Sequence, residues 1–243
     1  MSCERIGTNT LVVRSIRGYS DSILSIDIQF APGGRNTVND IQRVVAAATT
    51  VFGWREGEAL TEIALASWGL PVDATIVEVG TFMGRSSALL AGARKLRGSG
   101  RVHCVDPFDC SGDEFSIPHY FSALKATGSH SLEDVFRQNM SRLGLESWIE
   151  VHKGTSRDVG AHWSSPIDLL LLDGDQCAEG AWQAFETWAP HLMKGGTIII
   201  GNVHDHPSPG HDGNSRLTIE ELKPPRYSSV RRVDSTVFAI KAF

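Results

Sequence analysis

From residue 72 onward, short runs of apolar, mostly branched residues alternate with stretches whose apolar positions recur every three or four residues. Thr75–Val79 (TIVEV) predicts a buried strand, followed by a glycine-containing turn and a helix through about Leu96. Arg101–Val105 (RVHCV) predicts a second strand, which ends at Asp106-Pro107 because proline cannot donate to the ladder. Helical spacing returns over Ser131–Leu143, with Leu132, Val135, Phe136, Met140 and Leu143 on one face. Trp148–His152 and Ile167–Leu172 predict strands, Ala178–Leu192 a helix, and Thr197–Ile200 another strand. Continuous apolar strands separated by helices imply a parallel sheet covered on both faces. Tyr227–Val233 and Thr236–Ala242, divided by Asp234-Ser235, predict an antiparallel hairpin at the sheet edge. The expected fold class is α/β: a Rossmann-like, doubly wound, seven-stranded and mostly parallel sheet with an N-terminal helical extension.

Upstream, Val38–Phe52 and Glu56–Trp68 read as two amphipathic helices. Residues 1–37 contain strand-like pieces at Leu11–Val13 and Ile23–Ile28 and an Ala-Pro-Gly-Gly break at 31–34. Residues 1–70 are expected to pack as an extension on a core domain of residues 71–243.

Composition narrows the function classes. No apolar run approaches the ~18 residues of a membrane helix, and the start Met-Ser-Cys-Glu-Arg has neither a basic nor an apolar leader region. A cytoplasmic location is expected. With 23 basic against 28 acidic residues, the net charge of −5 argues against nucleic-acid or membrane partners. Arg94, Lys95, Arg97 and Arg101 form the densest basic segment and read as a solvated helix end. Cys3, Cys104, Cys110 and Cys177 form no Cys-x-x-Cys pair, so they read as free thiols and exclude a zinc ribbon.

Open parallel sheets bind ligands at the carboxyl ends of their strands. The first strand here runs into Glu78-Val79-Gly80-Thr81-Phe82-Met83-Gly84-Arg85-Ser86-Ser87. A dinucleotide fingerprint needs glycine where Phe82 stands, and the Glu78 carboxylate disfavours neighbouring phosphates. No Gly-Lys-Ser/Thr follows, which excludes a P-loop. The remaining candidate is a cofactor that comes close at Gly80, with a cationic or zwitterionic part and a ribose whose hydroxyls Asp106 accepts.

Residues 75–106 resemble motif I and the second-strand acid of class I S-adenosylmethionine-dependent methyltransferases. The match is nearest to the small-molecule O-methyltransferases that include catechol O-methyltransferase and bacterial sugar and natural-product enzymes. The resemblance runs over about residues 50–242. It takes in Phe52-Gly53-Trp54 with Glu56-Gly57-Glu58, Ile167-Asp168-Leu169-Leu170 through Asp173-Gly174-Asp175, and Lys194-Gly195-Gly196. It implies S-adenosylmethionine as cosubstrate, with Glu78, Gly80, Phe82, Gly84 and Ser86 among the binding residues and Gly80 and Ser86 at its methionine end. It also implies Asp106 at the ribose, Ser156 and Arg157 of the 154–158 loop at the adenine, and Asp173 near the methyl group and amine. Cys177 is expected near the adenine end. The implied reaction is O-methylation of a small molecule; N-methylation of an amine and a catalytically silent binding protein are the alternatives.

Transfer from a sulfonium is an in-line displacement, so alignment supplies most of the gain, about 7–11 kcal/mol. A general base adds about 10²–10⁴-fold. The expected base is His204, nearest the fifth strand's end, from the group His204, His206 and His211; Asp173 is the second expected catalytic residue. Related enzymes hold Mg²⁺ with the fourth-strand acid and an acidic or Asp-Asn pair after the fifth strand. Here that strand ends Ile200-Gly201-Asn202, and Gln176, Cys177 and Ala184 stand where the bacterial branch often has other groups. No resident metal is expected, with Asp173 and Asn202 the ligands for any that binds. Residues 108–130 are long for a connection and carry Phe108, Phe115, His119, Tyr120 and Phe121, which suits an aromatic acceptor wall. A homo-oligomer is left open.

Overall fold

The computed structural model describes residues 37–243; the expected strand pieces at Leu11–Val13 and Ile23–Ile28 lie outside them. Helices α1 (Thr37–Ala48) and α2 (Ala59–Trp68) precede β1 (Thr75–Val79), α3 (Arg85–Arg97) and β2 (Arg101–Asp106). Then come α4 (Ser116–Ala126), α5 (Leu132–Arg142), β3 (Ile149–Lys153), α6 (Ser156–Gly160), β4 (Ile167–Leu172) and α7 (Ala178–Trp188). The chain closes with β5 (Leu192–Ile200), α8 (Gly213–Glu221), β6 (Tyr227–Val233) and β7 (Thr236–Lys241).

The seven strands lie in the order β3-β2-β1-β4-β5-β7-β6, parallel except at β7, which runs antiparallel to both β5 and β6. Pairing of Val77 with Leu170 and of Val79 with Leu172 aligns the carboxyl ends of β1 and β4. Side chains alternate across the pleat. Ile76, Leu169, Leu171 and Ile199 join α1, α2, α3 and α5 in one core. Val77, Val79, Leu170, Leu172 and Ile200 join Phe185 and Trp188 of α7 and Leu217 of α8 in the other. Each fully buried Leu or Ile in these central strands contributes about 1.5–3 kcal/mol.

The sequence pattern leaves three helices unread: α4, α6 and α8. The predicted helix over Ala178–Leu192 stops at Trp188, where Pro190 enters a 3₁₀ turn. The fifth strand reaches back to Leu192 through the exposed residues Met193–Gly195, where Lys194 and Gly195 interrupt the apolar run.

The basic helix end is not all solvated. Arg94 is fully buried, and its guanidinium donates to the carbonyls of Ser67 (2.9 Å), Pro71 (2.7 Å), Val72 (2.9 Å) and Ser99 (2.8 Å). A rigid five-donor fork thus ties together carbonyls at the end of α2, in the loop that follows it and just after α3. Among the described residues, no helix is long and apolar enough to cross a membrane.

Candidate active site

The β1–α3 turn is built by close backbone approach. Gly80 has φ +86°, and a Cβ there would lie 2.5 Å from the backbone of Gly174. The glycine the sequence assigned to a cofactor thus also lets the loops after β1 and β4 touch. Asp106, at the end of β2, fastens the same turn. Its Oδ2 accepts from the N–H groups of Thr81 (2.8 Å) and Phe82 (2.9 Å), and its Oδ1 from Phe108 N–H (2.7 Å). Burial pushes the Asp106 carboxyl up, and these three donors pull it back. One acceptor position on Oδ1 stays open, so the geometry offers a ribose one hydrogen bond rather than a two-oxygen clamp.

Two premises about this turn change. Glu78 is fully buried, and burial pushes it up to about 8, against the pull of a hydrogen bond from Ser87 Oγ to its Oε2. It is largely protonated at neutral pH and brings no anionic repulsion to the crevice. Phe82, at φ 49°, packs with Trp54 (ring centroids 4.9 Å apart) and Tyr120 (5.2 Å). With Phe52 these rings form an aromatic group from three separate segments, in which Phe52 and Trp54 are about half exposed. Gly84, at φ +96°, packs against Phe136 and Met140 of α5, so its absent side chain serves helix packing.

Asp173, just beyond β4, faces Arg55 from the segment before α2. Arg55 Nη2 donates to Asp173 Oδ2 (2.8 Å) and Nη1 to Ser86 Oγ (2.9 Å). Burial pushes the Asp173 carboxyl up, while the Arg55 charge and hydrogen bond draw it down. The Arg55 side chain is 6% exposed, and its Nε has no partner among the described residues. Arg85 of α3 holds this segment by donating to the carbonyls of Val51 and Arg55, both at 2.8 Å.

These residues do not fit a divalent cation. A Cβ on Gly201 would lie 2.0 Å from Arg55 Nη2 and 2.2 Å from Asp173 Oδ1. The place of a fifth-strand carboxylate is therefore filled by a guanidinium. Asn202 turns its Nδ2 toward Asp173 Oδ1 at 3.4 Å and so presents a donor where a hard cation needs an oxygen.

A second polar group comes from the 108–130 segment and the loop before α8. Asp113 is buried just before α4, and its Oδ1 accepts from Ser116 N–H at the start of that helix (2.9 Å) and also meets His211 Nδ1 (3.1 Å). Burial works against the Asp113 charge, but hydrogen bonds from Ser116 and His211 hold its carboxyl below the usual range. With Nδ1–H of His211 donating to Asp113, Nε2 is left as an acceptor. His211 is near enough to bear on the Asp173 charge, and the phenol of Tyr120 is pushed up by burial and by Asp173, Asp113 and Asp106. Asp173 and Asp113 thus both act on the Tyr120 phenol, and His211 acts on Asp173. His204 does not join them: it is exposed, and its backbone N–H donates to Ser215 Oγ (2.9 Å). His206 is exposed as well.

Toward the adenine side, Ser156 Oγ accepts from Trp188 Nε1 (3.0 Å). Arg157 is exposed and lines an open hollow of about 490 Å³ between α6 and α7, with Glu179, Trp182 and Glu186. Cys177 caps α7, its sulfur accepting from Gly180 N–H at 3.3 Å. Buried Thr81 Oγ1 and Gln176 Oε1, in the loops after β1 and β4, have no partner among the described residues. An unsatisfied buried polar atom costs about 1–3 kcal/mol, so this pair fits a polar ligand lying across the two loops.

A family model described as a methyltransferase domain matches residues 77–203, more than half of the chain. Among solved structures the chain is similar to cofactor-bound Rv0187 from MTB, with 17% identity, TM-score 0.59, and 86% of this chain and 91% of that one covered. It is similar to an O-methyltransferase from Bacillus cereus in complex with SAH, with 21% identity, TM-score 0.55 and coverage of 86% and 92%. It is also similar to an rRNA methylase from Streptococcus thermophilus, with 14% identity, TM-score 0.52 and coverage of 79% and 100%. At these identities the structures speak for the shared sheet, and the domain match for the family. The chain belongs to the methyltransferase-domain family, as an enzyme whose methyl donor is S-adenosylmethionine.

Proposed function

We propose that this enzyme methylates a hydroxyl group on a small, partly aromatic molecule. The observation that carries the reading is the His211–Asp113 pair, whose charge bears on Asp173, together with the group of Phe52, Trp54, Phe82 and Tyr120. The rings offer a flat apolar wall, and the histidine offers an acceptor for a hydroxyl proton. The net charge of −5 disfavours a nucleic-acid acceptor.

S-adenosylmethionine supplies a sulfonium methyl group, which an oxygen nucleophile takes by in-line displacement. Thr81, Gln176 and the open position on Asp106 would hold the donor, and Ser86 and Asp173 border its methionine end; Ser156 and Arg157 remain the adenine-side candidates. His211 Nε2 takes the acceptor's proton while Nδ1–H stays hydrogen-bonded to Asp113, which orients the ring and stabilises the imidazolium. The aromatic wall holds the acceptor in line and excludes water, the larger contribution at about 7–11 kcal/mol.

Product analysis with phenols, sugars, amines and ribosomal RNA tests the reading. A methyl ether on a phenol or sugar is expected; methyl transfer only to nitrogen or to RNA would overturn it. His211→Ala should lower kcat by about 10²–10⁴-fold with donor affinity kept, whereas His204→Ala should keep parental turnover. The reverse pattern would return the base to His204.

A further inference from the structure

We propose that the Arg55 guanidinium does the work of a divalent cation in this enzyme, fixing the acceptor oxygen and stabilising its developing negative charge. The inference rests on the methyl-transfer reading of the crevice, which donor binding tests separately. Arg55 and Gly201 are a matched pair. The guanidinium lies where a side chain at 201 would begin, 2.0 Å from the position of its Cβ. A side chain at 201 therefore displaces the Arg55 guanidinium from the position it holds between Asp173 and Ser86.

Three features make Arg55 suited to the task. It is held at both ends of its fork, by Asp173 Oδ2 (2.8 Å) and Ser86 Oγ (2.9 Å). Its backbone is fixed by Arg85, and its side chain is shielded from water, which strengthens its field. Its Nε has no partner among the described residues, and each terminal nitrogen has a second hydrogen beyond the bonds named. A guanidinium stays protonated throughout the working pH range and accepts no lone pair. It therefore acts by donating hydrogen bonds to the oxygen as the proton leaves for His211 Nε2 and the O–CH₃ bond forms.

The test uses the full chain. Parental turnover should be unchanged in EDTA. Arg55→Lys keeps a positive charge but loses the fork, and should lower kcat by about 10²–10³-fold with unchanged affinity for S-adenosylhomocysteine. Arg55→Ala with Gly201→Asp removes the guanidinium and restores an acid beside Asp173, whose freed carboxylate can turn away from the new Cβ. By Mn²⁺ titration followed by electron paramagnetic resonance, this variant should gain one ion relative to the parent, and the gain should vanish on adding Asp173→Asn. Loss of parental activity in EDTA, full kcat in Arg55→Lys, or no added Mn²⁺ in a folded double variant would each overturn the proposal. Loss of S-adenosylhomocysteine binding by the parent would instead strike the methyl-transfer reading.

A different observation carries a second site. His103 Nδ1 and His152 Nε2 lie 3.0 Å apart on the neighbouring strands β2 and β3, and the Glu150 carboxylate lies 3.8 and 3.7 Å from them. A tetrahedral ion with bonds of about 2.0–2.1 Å separates its ligands by roughly 3.3 Å. The structure assigns His103, His152 and Glu150 as a Zn²⁺ site with water as fourth ligand, since all three side chains are partly exposed. Calorimetric Zn²⁺ titration should show one site whose affinity falls at least about tenfold in His152→Ala and in Glu150→Gln. Unchanged stoichiometry and affinity in both variants would refute it.

Discussion

The Glu78 carboxyl gives a quantitative handle on the packing beneath the crevice. It is fully buried on β1, accepts from Ser87, and is pushed from its ordinary 4.5 to about 8 by burial. The folded chain thus holds this proton more tightly than the unfolded chain. Stability from the group is whole below about pH 4.5, declines as pH rises, and is lost by about pH 8. At about 1.4 kcal/mol per unit, the difference amounts to roughly 4–5 kcal/mol across that window. Glu78→Gln keeps an acceptor for Ser87 and cannot ionise. Urea unfolding of parent and variant from pH 5 to pH 9 should show the variant gaining on the parent by about 1.4 kcal/mol per pH unit up to about pH 8, then no further. Parallel stability curves across that range would refute the protonated, buried carboxyl.

Gly80→Ala places a Cβ 2.5 Å from the Gly174 backbone at a φ of +86°, so it should lower stability by at least about 2 kcal/mol in chemical denaturation. Arg94→Ala removes the guanidinium from the carbonyls of Ser67, Pro71, Val72 and Ser99 and leaves those of Val72 and Ser99 without it; a loss of at least about 2 kcal/mol is expected in the same measurement. Asp106→Asn turns one acceptor into a donor facing backbone N–H groups, and calorimetry should find S-adenosylhomocysteine affinity lowered at least about tenfold.

The central strands were readable because they are nearly continuous apolar runs buried on both faces, as in Thr75–Val79 and Ile167–Leu172. The turn after β1 was readable as a site from its glycines, yet the closest neighbour of Gly80 is Gly174, a contact no local pattern carries. Helix α4 escaped notice because only Ser116 and Leu124 of its residues are buried, so it has no apolar stripe. The polar network was hidden for a related reason. Arg55 meets Asp173 across 118 residues and His211 meets Asp113 across 98, and such pairings follow from the sheet order rather than from spacing. A charged residue within the aromatic Phe52-Gly53-Trp54-Arg55 segment was the one local hint of Arg55. His204 was favoured by nearness in sequence to β5; it is exposed, whereas His211, further along the chain, meets the buried Asp113.

The central claim is that the crevice between the loops after β1, β2 and β4 holds an adenosyl sulfonium compound, and calorimetric titration with S-adenosylhomocysteine and with NADH tests it most directly. Saturable binding of S-adenosylhomocysteine at one site per chain, with NADH weaker and displaced by it, is the predicted result. Tighter binding of NADH, or S-adenosylhomocysteine binding that Asp106→Asn and Gly80→Ala leave untouched, would contradict the account.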